Sequence, residues 1–131
     1  MRAQMQLVRG DSRQFSRISG LGRSAQAAVR RLEADRFWPG CLRDSLDQFE
    51  RFLRCPGRRL YVPLADCPCH DPLAGRDNVE AILNALPLRA RRELRQIVAR
   101  LDEEFERRTL PDPMAPVGLG VGWWHRRLTG R

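Results

Sequence analysis

The stretch CLRDSLDQFERFLR, residues 41–54, carries the clearest structural pattern in the chain. Its apolar side chains recur at intervals of four, three and four residues, at Leu42, Leu46, Phe49 and Leu53. This spacing draws one apolar stripe along an α-helix, and it predicts that the stripe packs against other helices. Oppositely charged residues four positions apart, such as Glu50 and Arg54, add about 0.2–0.5 kcal/mol a pair on the exposed face.

Before this segment, the spacing of apolar residues predicts a helix over about 21–37, with Ser24 as a candidate N-cap. The sequence RFWPG at 36–40 ends it, because proline and glycine do not readily continue a helix.

After the segment, CPG at 55–57 breaks the helical pattern. A third helix is predicted over about 78–86, because Asp77 as N-cap and Glu80 three residues later form a capping-box arrangement. Pro87 suits the first turn of a fourth helix over about 88–108, which has the longest apolar stripe in the chain.

These patterns predict an all-α fold, a small bundle of three to four helices with one long ordered loop at about 55–76. The loop contains a candidate short strand, LYV, at 60–62. Three regions follow along the chain: a basic N-terminal arm at 1–20, a helical domain at 21–110, and a Pro/Gly-rich tail at 111–131 that ends in a Trp/Arg cluster.

The charge of the chain is strongly basic, with a formal net charge of +8 carried by 24 arginines and no lysine. Arginine is the residue that binds phosphates and carboxylates with two parallel hydrogen bonds. The bias also fits a GC-rich bacterial genome, because arginine codons can be GC-rich and lysine codons cannot. No apolar run is long enough for a membrane span, and the N-terminus has no signal-peptide pattern. We therefore expect a cytoplasmic protein.

Reactive side chains crowd together only in LADCPCHDPLAG, residues 64–75. One interpretation is a structural zinc site formed by Cys55, Cys67, Cys69 and His70. Cys41 is excluded, because a helix of this length separates it from Cys55 by about 21 Å. Two other interpretations stay open: a catalytic thiolate at Cys69 beside His70, and a loop whose cysteines are small buried apolar groups.

The two ends of the chain carry the candidate nucleic-acid or partner contacts. Arg9, Arg13 and Arg17 recur every four residues in the arm, and the tail contains WWHRR at 123–127. Aromatic rings stack on unpaired bases and arginines hold phosphates, so Trp123, Trp124, Arg126 and Arg127 suit single-stranded nucleic acid. The same residue types suit a protein partner. Alternatively, the tail folds back and both tryptophans pack against the helices of the same chain.

The fourth helix has an unusual charge order, with arginines in its first half and mostly acidic residues in its second. This order opposes the helix macrodipole, which favours acids first and bases last. An antiparallel pair of such helices in a homodimer would set each basic half beside an acidic half. Ion pairs within the helix are the alternative explanation.

The leading functional hypothesis is therefore a non-enzymatic binding or adaptor protein that acts through helix-mediated protein–protein contacts. Zinc stabilisation and homodimerisation are open options within this hypothesis. The second is an Arg-rich nucleic-acid-binding protein that uses the arm and the tail. The third is a small thiol or metal enzyme centred on Cys69 and His70.

Overall fold

A computed structural model of the chain describes residues 18–63, 71–115 and 122–130. Within these residues four α-helices form a small bundle: α1 (Arg23–Arg36), α2 (Cys41–Leu53), α3 (Pro72–Ala85) and α4 (Leu88–Arg108). The all-α fold predicted from the sequence is confirmed. The observed bounds of α1, α2 and α4 lie within two residues of the predicted ones, because their apolar spacing marks them directly.

The prediction for α3 was wrong at its N-terminus, where the helix begins six residues earlier than expected. Asp71 is the N-cap, and its carboxylate accepts a hydrogen bond of 2.9 Å from the backbone N–H of Leu73. Pro72 follows as the first helical residue, a position where its missing N–H costs nothing. Asp77 therefore lies inside α3, and its carboxylate is available for contacts outside the helix.

The start of α1 also differs from the prediction. Its N-cap is Gly22 rather than Ser24, and no side chain caps it. Instead, the carboxylate of Glu93 on α4 accepts a hydrogen bond of 2.8 Å from the backbone N–H of Gly22. A long-range acceptor thus replaces the local cap that the sequence suggested.

The loop and the tail meet in a short parallel pairing. Strand β1 (Val62–Pro63) lies beside strand β2 (Thr129–Gly130), with Val62 opposite Thr129. The sequence placed the strand at 60–62, slightly earlier in the chain. An antiparallel bridge joins Pro111 to Arg127, so the last described residues run back along the bundle.

The larger of two apolar clusters, here called the helical core, brings together residues from all four helices. At its centre Leu42, Ile82 and Leu94 are fully buried. The remaining buried members are Ile18, Ala25, Ala28, Val29, Cys41, Leu46, Val79, Leu83, Leu86, Ala90 and Val98.

The smaller cluster, here called the aromatic core, joins the helices to the loop and the tail. Phe49 of α2 and Phe105 of α4 are fully buried, with ring centroids 5.4 Å apart. Leu53, Leu60, Val62, Leu73 and Trp124 complete the buried set. The partly buried Phe52, Leu101 and Trp123 pack against it.

Two glycines let α2 and its neighbours approach closely. Gly40 precedes α2 with a φ of 83°, a left-handed conformation that glycine adopts without strain. A Cβ atom on Gly75 of α3 would lie 2.6 Å from the carbonyl oxygen of Ser45 on α2. Only a residue without a side chain fits at this crossing of α2 and α3.

Candidate functional site

Several predicted site residues lie outside the part of the chain that the structure describes. These are Arg9, Arg13 and Arg17 of the arm, and Cys67, Cys69 and His70 of the proposed zinc site. Cys55 is described: it is exposed, and its thiol donates to the carbonyl of Arg51 at 3.7 Å. Within residues 18–63, 71–115 and 122–130, no three His, Cys, Asp or Glu residues are grouped as metal ligands.

Cys41 is the other described cysteine, and it belongs to the helical core. Burial raises the pKa of its thiol to about 11, although a hydrogen bond with Ser45 acts in the opposite direction. The thiol is therefore protonated at neutral pH. A protonated, buried thiol is a poor nucleophile, so Cys41 is a packing residue.

The two adjacent tryptophans of the tail both lie against the bundle. Trp124 is buried in the aromatic core, and Trp123 is half-buried, with its ring centroid 5.7 Å from that of Phe105. Residues Trp123–Arg126 form a 3-10 turn that holds the two rings nearly perpendicular, at 80°. The packing of Trp124 leaves little of its ring accessible for stacking on a base.

Arg76 connects three elements beneath this turn. Its side chain is only 2% exposed, yet it carries a charge. The guanidinium group donates two hydrogen bonds of 2.9 Å to Asp102 on α4 and one of 3.0 Å to Glu80 on α3. It also lies over the ring of Trp124, 4.0 Å from the centroid, which is a cation–π contact.

The two carboxylates offset the cost of burying this charge. Burial alone lowers the pKa of Arg76, but the hydrogen bonds and charges of Asp102 and Glu80 outweigh it and raise the pKa above its ordinary value. The residue therefore stays charged and acts as a structural link. Sequence reasoning missed it, because its partner on α4 lies 26 residues away and no local pattern marks the pair.

Asp77, which follows Arg76 on α3, contacts the turn formed by Trp123–Arg126. Its Oδ1 atom accepts a hydrogen bond of 2.8 Å from Nε1 of Trp124, and it lies 2.7 Å from Nε2 of His125. A cleft of about 580 Å³ opens beside these groups, lined by Asp77, Glu80, Ala81, Asn84, Gly122, Trp123, Trp124 and His125. The polar groups nearest Trp124 are thus engaged with one another.

The C-terminal end of α4 is held by arginines from outside the helix. Arg127 donates hydrogen bonds of 3.0 Å to the carbonyls of Glu106 and Thr109, and Arg59 donates one of 3.1 Å to the carbonyl of Arg107. Positive charge at this end suits the helix macrodipole. Arg127, which the sequence offered for phosphate binding, is engaged here, whereas Arg126 is half-buried in the turn.

Arg108 ties the loop to the same end. Its guanidinium group donates to the carbonyls of Leu53, Cys55 and Gly57, so the segment after α2 wraps around the last turn of α4. Three arginines at this end of the bundle therefore serve the fold. Their number in the sequence does not by itself indicate an anion-binding site.

The outward face of α4, opposite its buried side, consists of Arg89, Arg92, Gln96, Ala99, Glu103 and Glu106. All six residues are exposed. They recur at intervals of three and four residues, and they run from positive through uncharged to negative along the helix. Other charged residues of α4 turn to the bundle: Glu93 contacts Gly22, and Asp102 binds Arg76.

Comparison with known proteins adds no relative. No protein-family model matches this chain, and neither the search of curated proteins nor that of solved structures finds a match. Among the described residues, no helix is both long and apolar enough to cross a membrane.

Proposed function

We propose that this chain is a non-enzymatic cytoplasmic binding protein that acts through helix-mediated protein–protein contacts, and that the outward face of α4 is its contact surface. The observation that carries the proposal is the exposure of all six side chains of that face along a helix of 21 residues. A long helix with an exposed face of ordered charges suits pairing with another helix through interhelical ion pairs.

The use of the remaining charges supports this choice of surface. Arg76, Arg91, Arg108 and Arg127 all donate to groups within the bundle, and Arg91 does so to the carbonyl of Leu86 at 3.0 Å. Trp124 is buried in the aromatic core. The tail therefore presents fewer free contact groups than its sequence suggests, whereas the outward face keeps its groups exposed.

Site-specific photo-cross-linking in cells tests the proposal. Arg100 is exposed beside the outward face, and Arg31 is exposed on α1 and serves as the matched control. Each is replaced in turn by the photoreactive residue p-benzoylphenylalanine, and the adducts are identified by mass spectrometry. We expect protein adducts from position 100 that position 31 does not give. Equal or absent adduct formation at the two positions would rule out this surface.

Nucleic-acid binding is a second candidate, and one feature of the described residues favours it. Arg54 and Arg58 are exposed in the segment after α2. If these residues hold phosphates, binding of a single-stranded oligonucleotide falls steeply with salt. Replacing Arg54 and Arg58 by glutamine then lowers the slope of log K against log salt by about one per lost contact. The variant R89Q/R92Q is the control, and an unchanged slope argues against this candidate.

The zinc site and the thiol enzyme remain predictions that rest on the sequence. Metal analysis of protein purified without chelator or metal-affinity resin tests the first. About one zinc per chain is the stoichiometry expected of a closed site of four ligands. The thiol-enzyme hypothesis requires that Cys69 can be alkylated selectively at neutral pH. An unreactive Cys69 thiol would exclude that hypothesis.

A further inference from the structure

We propose that the partner of the outward face is a second copy of this chain, whose α4 packs antiparallel to the first. In the proposed register Arg89 lies opposite Glu106 of the second copy, Arg92 opposite Glu103, and Gln96 opposite Ala99. A two-fold axis passes midway between Gln96 and Ala99. This inference rests on the proposed function, because it names the partner of the same surface.

The spacing of the face fits helix pairing. Its six residues follow one another at intervals of three, four, three, four and three, an average of 3.4 residues. This is close to the 3.5-residue repeat that keeps one stripe facing a partner helix in a left-handed pair. The apolar residues of α4 that are buried in the monomer, such as Leu94 and Val98, lie on the opposite side. The two sides can therefore be occupied at the same time.

The charge order selects the direction of pairing. Two parallel copies in register would place Arg89 and Arg92 opposite themselves, and Glu103 and Glu106 opposite themselves, which is repulsive. The antiparallel arrangement places each arginine opposite a glutamate instead. Because a two-fold axis makes every contact twice, two kinds of ion pair become four.

The middle of the face favours close approach. Gln96 and Ala99 carry no charge, and Ala99 is small enough to let two helices approach to about 8–10 Å. At the end of the helix, Leu88 is 59% exposed on the same side of α4, next to Arg89. In the paired state it lies near Arg107 of the second copy, whose aliphatic stem can cover it.

Charges beside the face reinforce the register. In an antiparallel pair, Arg95 lies close to Asp102 of the second copy, and Arg100 lies close to Glu93. Within the monomer, Asp102 already binds Arg76 and Glu93 contacts Gly22. These flanking pairs therefore attract at longer range and do not add new direct hydrogen bonds.

The charges of the outward face also favour a second copy of the chain over a polyanion as its partner. The chain carries a net charge of +8, but the outward face balances two arginines against two glutamates. Glu103 and Glu106 would repel phosphates along half of its length. Exposed ion pairs are individually weak, because water and salt screen them and the long side chains lose freedom on pairing. Four of them support only a weak, reversible dimer, with a Kd of about 1 mM.

Sedimentation equilibrium with charge-reversal variants tests the register. We compare the full chain with R92E, with E103R, with their equimolar mixture, and with R31E as the charge-matched control on α1. R92E places glutamate opposite Glu103, and E103R places arginine opposite Arg92. Each single variant is expected to dimerise at least about tenfold more weakly than the unchanged chain. In the mixture every contact is again between opposite charges, so heterodimers are expected to restore the association.

Three results would overturn the inference: a monomer at concentrations up to about 1 mM, single variants that dimerise like R31E, or a mixture no stronger than its components. Circular dichroism of each variant verifies that the helices are intact. The proposed function is tested independently of the proposed dimer. A monomeric chain that still cross-links to another protein through position 100 would keep the binding surface and remove the second copy as its partner.

Discussion

The helical core and the aromatic core are both well packed, but they are built from different kinds of sequence information. The helical core takes its buried residues almost entirely from the periodic stripes of α1 to α4. The aromatic core adds Leu60 and Val62 from the loop and Trp124 from the tail, which no periodic pattern marks. A periodic stripe specifies a helix and its buried face. The burial of isolated apolar residues in a loop depends instead on the surface that the packed helices present to them.

The difference also shows in how polar groups are satisfied. Beside the helical core, a buried carboxylate joins two segments that are close in the sequence. Glu33 accepts hydrogen bonds from the backbone N–H groups of Gly40 and Leu42 at the start of α2. Around the aromatic core, Arg76 spans α3, α4 and the C-terminal turn. The second region therefore depends on one charged residue to join segments that are distant in the sequence.

The largest expected effect comes from emptying the centre of the aromatic core. Replacing Phe105 by alanine removes a fully buried ring that packs on Phe49, Phe52 and Trp123. We expect the free energy of unfolding, measured by urea denaturation, to fall by about 3–5 kcal/mol. Leu94→Ala in the helical core should cost about 2–5 kcal/mol.

The exposed Leu88 provides the control for both substitutions, because L88A should change the stability by less than about 0.5 kcal/mol. Since α2, α3 and α4 contribute to both cores, far-UV and near-UV circular dichroism should report one common transition. Separate transitions would show that the aromatic core unfolds by itself.

A somewhat smaller loss is expected from Arg76→Met, which keeps the length of the side chain and removes its charge. Asp102 and Glu80 would then lack their buried partner, and we expect a loss of about 3 kcal/mol in urea denaturation. Arg31→Met, on the exposed side of α1, is the control and should be nearly neutral. Equal stabilities of the two variants would contradict the linking role of Arg76.

Asp77→Ala tests the attachment of the C-terminal turn alone. The substitution removes the acceptor of the Trp124 indole and the partner of His125, and it should cost about 1 kcal/mol. Hydrogen exchange should accelerate at the His125 amide, which donates to the carbonyl of Gly122, while Leu94 amide protection changes less. Asp35→Ala on α1 is the control. Equal acceleration at both amides would mean that the turn does not open separately.

The smallest effect is a pH dependence in the helical core. Burial raises the pKa of Glu33 above its ordinary value of 4.5, although the N–H groups of Leu42 and Gly40 act against the shift. The folded protein therefore holds this proton to higher pH than the unfolded chain does. The resulting stabilisation is fully present below pH 4.5 and is lost as the pH rises through the raised pKa.

Glu33→Gln lacks the titrating group and so isolates this contribution. The stability of the unchanged chain relative to E33Q, from urea denaturation at a series of pH values, should decrease as the pH rises through this window. A difference that is constant with pH would contradict the burial of an ionisable carboxyl group at this position.

Sequence patterns predicted α1, α2 and α4 to within two residues, because each carries an apolar stripe bounded by glycine or proline. They misplaced the start of α3, because two aspartates, Asp71 and Asp77, are both plausible caps and the pattern of apolar residues begins only after the second. Asp71 precedes a proline, and that pair defines the actual start. The charge order of α4 suggested pairing with another helix. Only the exposure of its side chains in the structure identified which charged residues form the outward face.

By itself, then, the sequence determined the helices and the side of each that is buried, since both follow from the spacing of apolar residues along a regular backbone. The tertiary structure decided the roles of the charged and aromatic residues between and after the helices. For Arg76, Arg127 and Trp124 the partners that decide their roles are Asp102, Thr109 and Asp77, which lie 18 to 47 residues away along the chain. Whether an arginine binds a carboxylate, a helix end or a partner depends on which groups the fold brings within hydrogen-bond distance, and that is a property of packing.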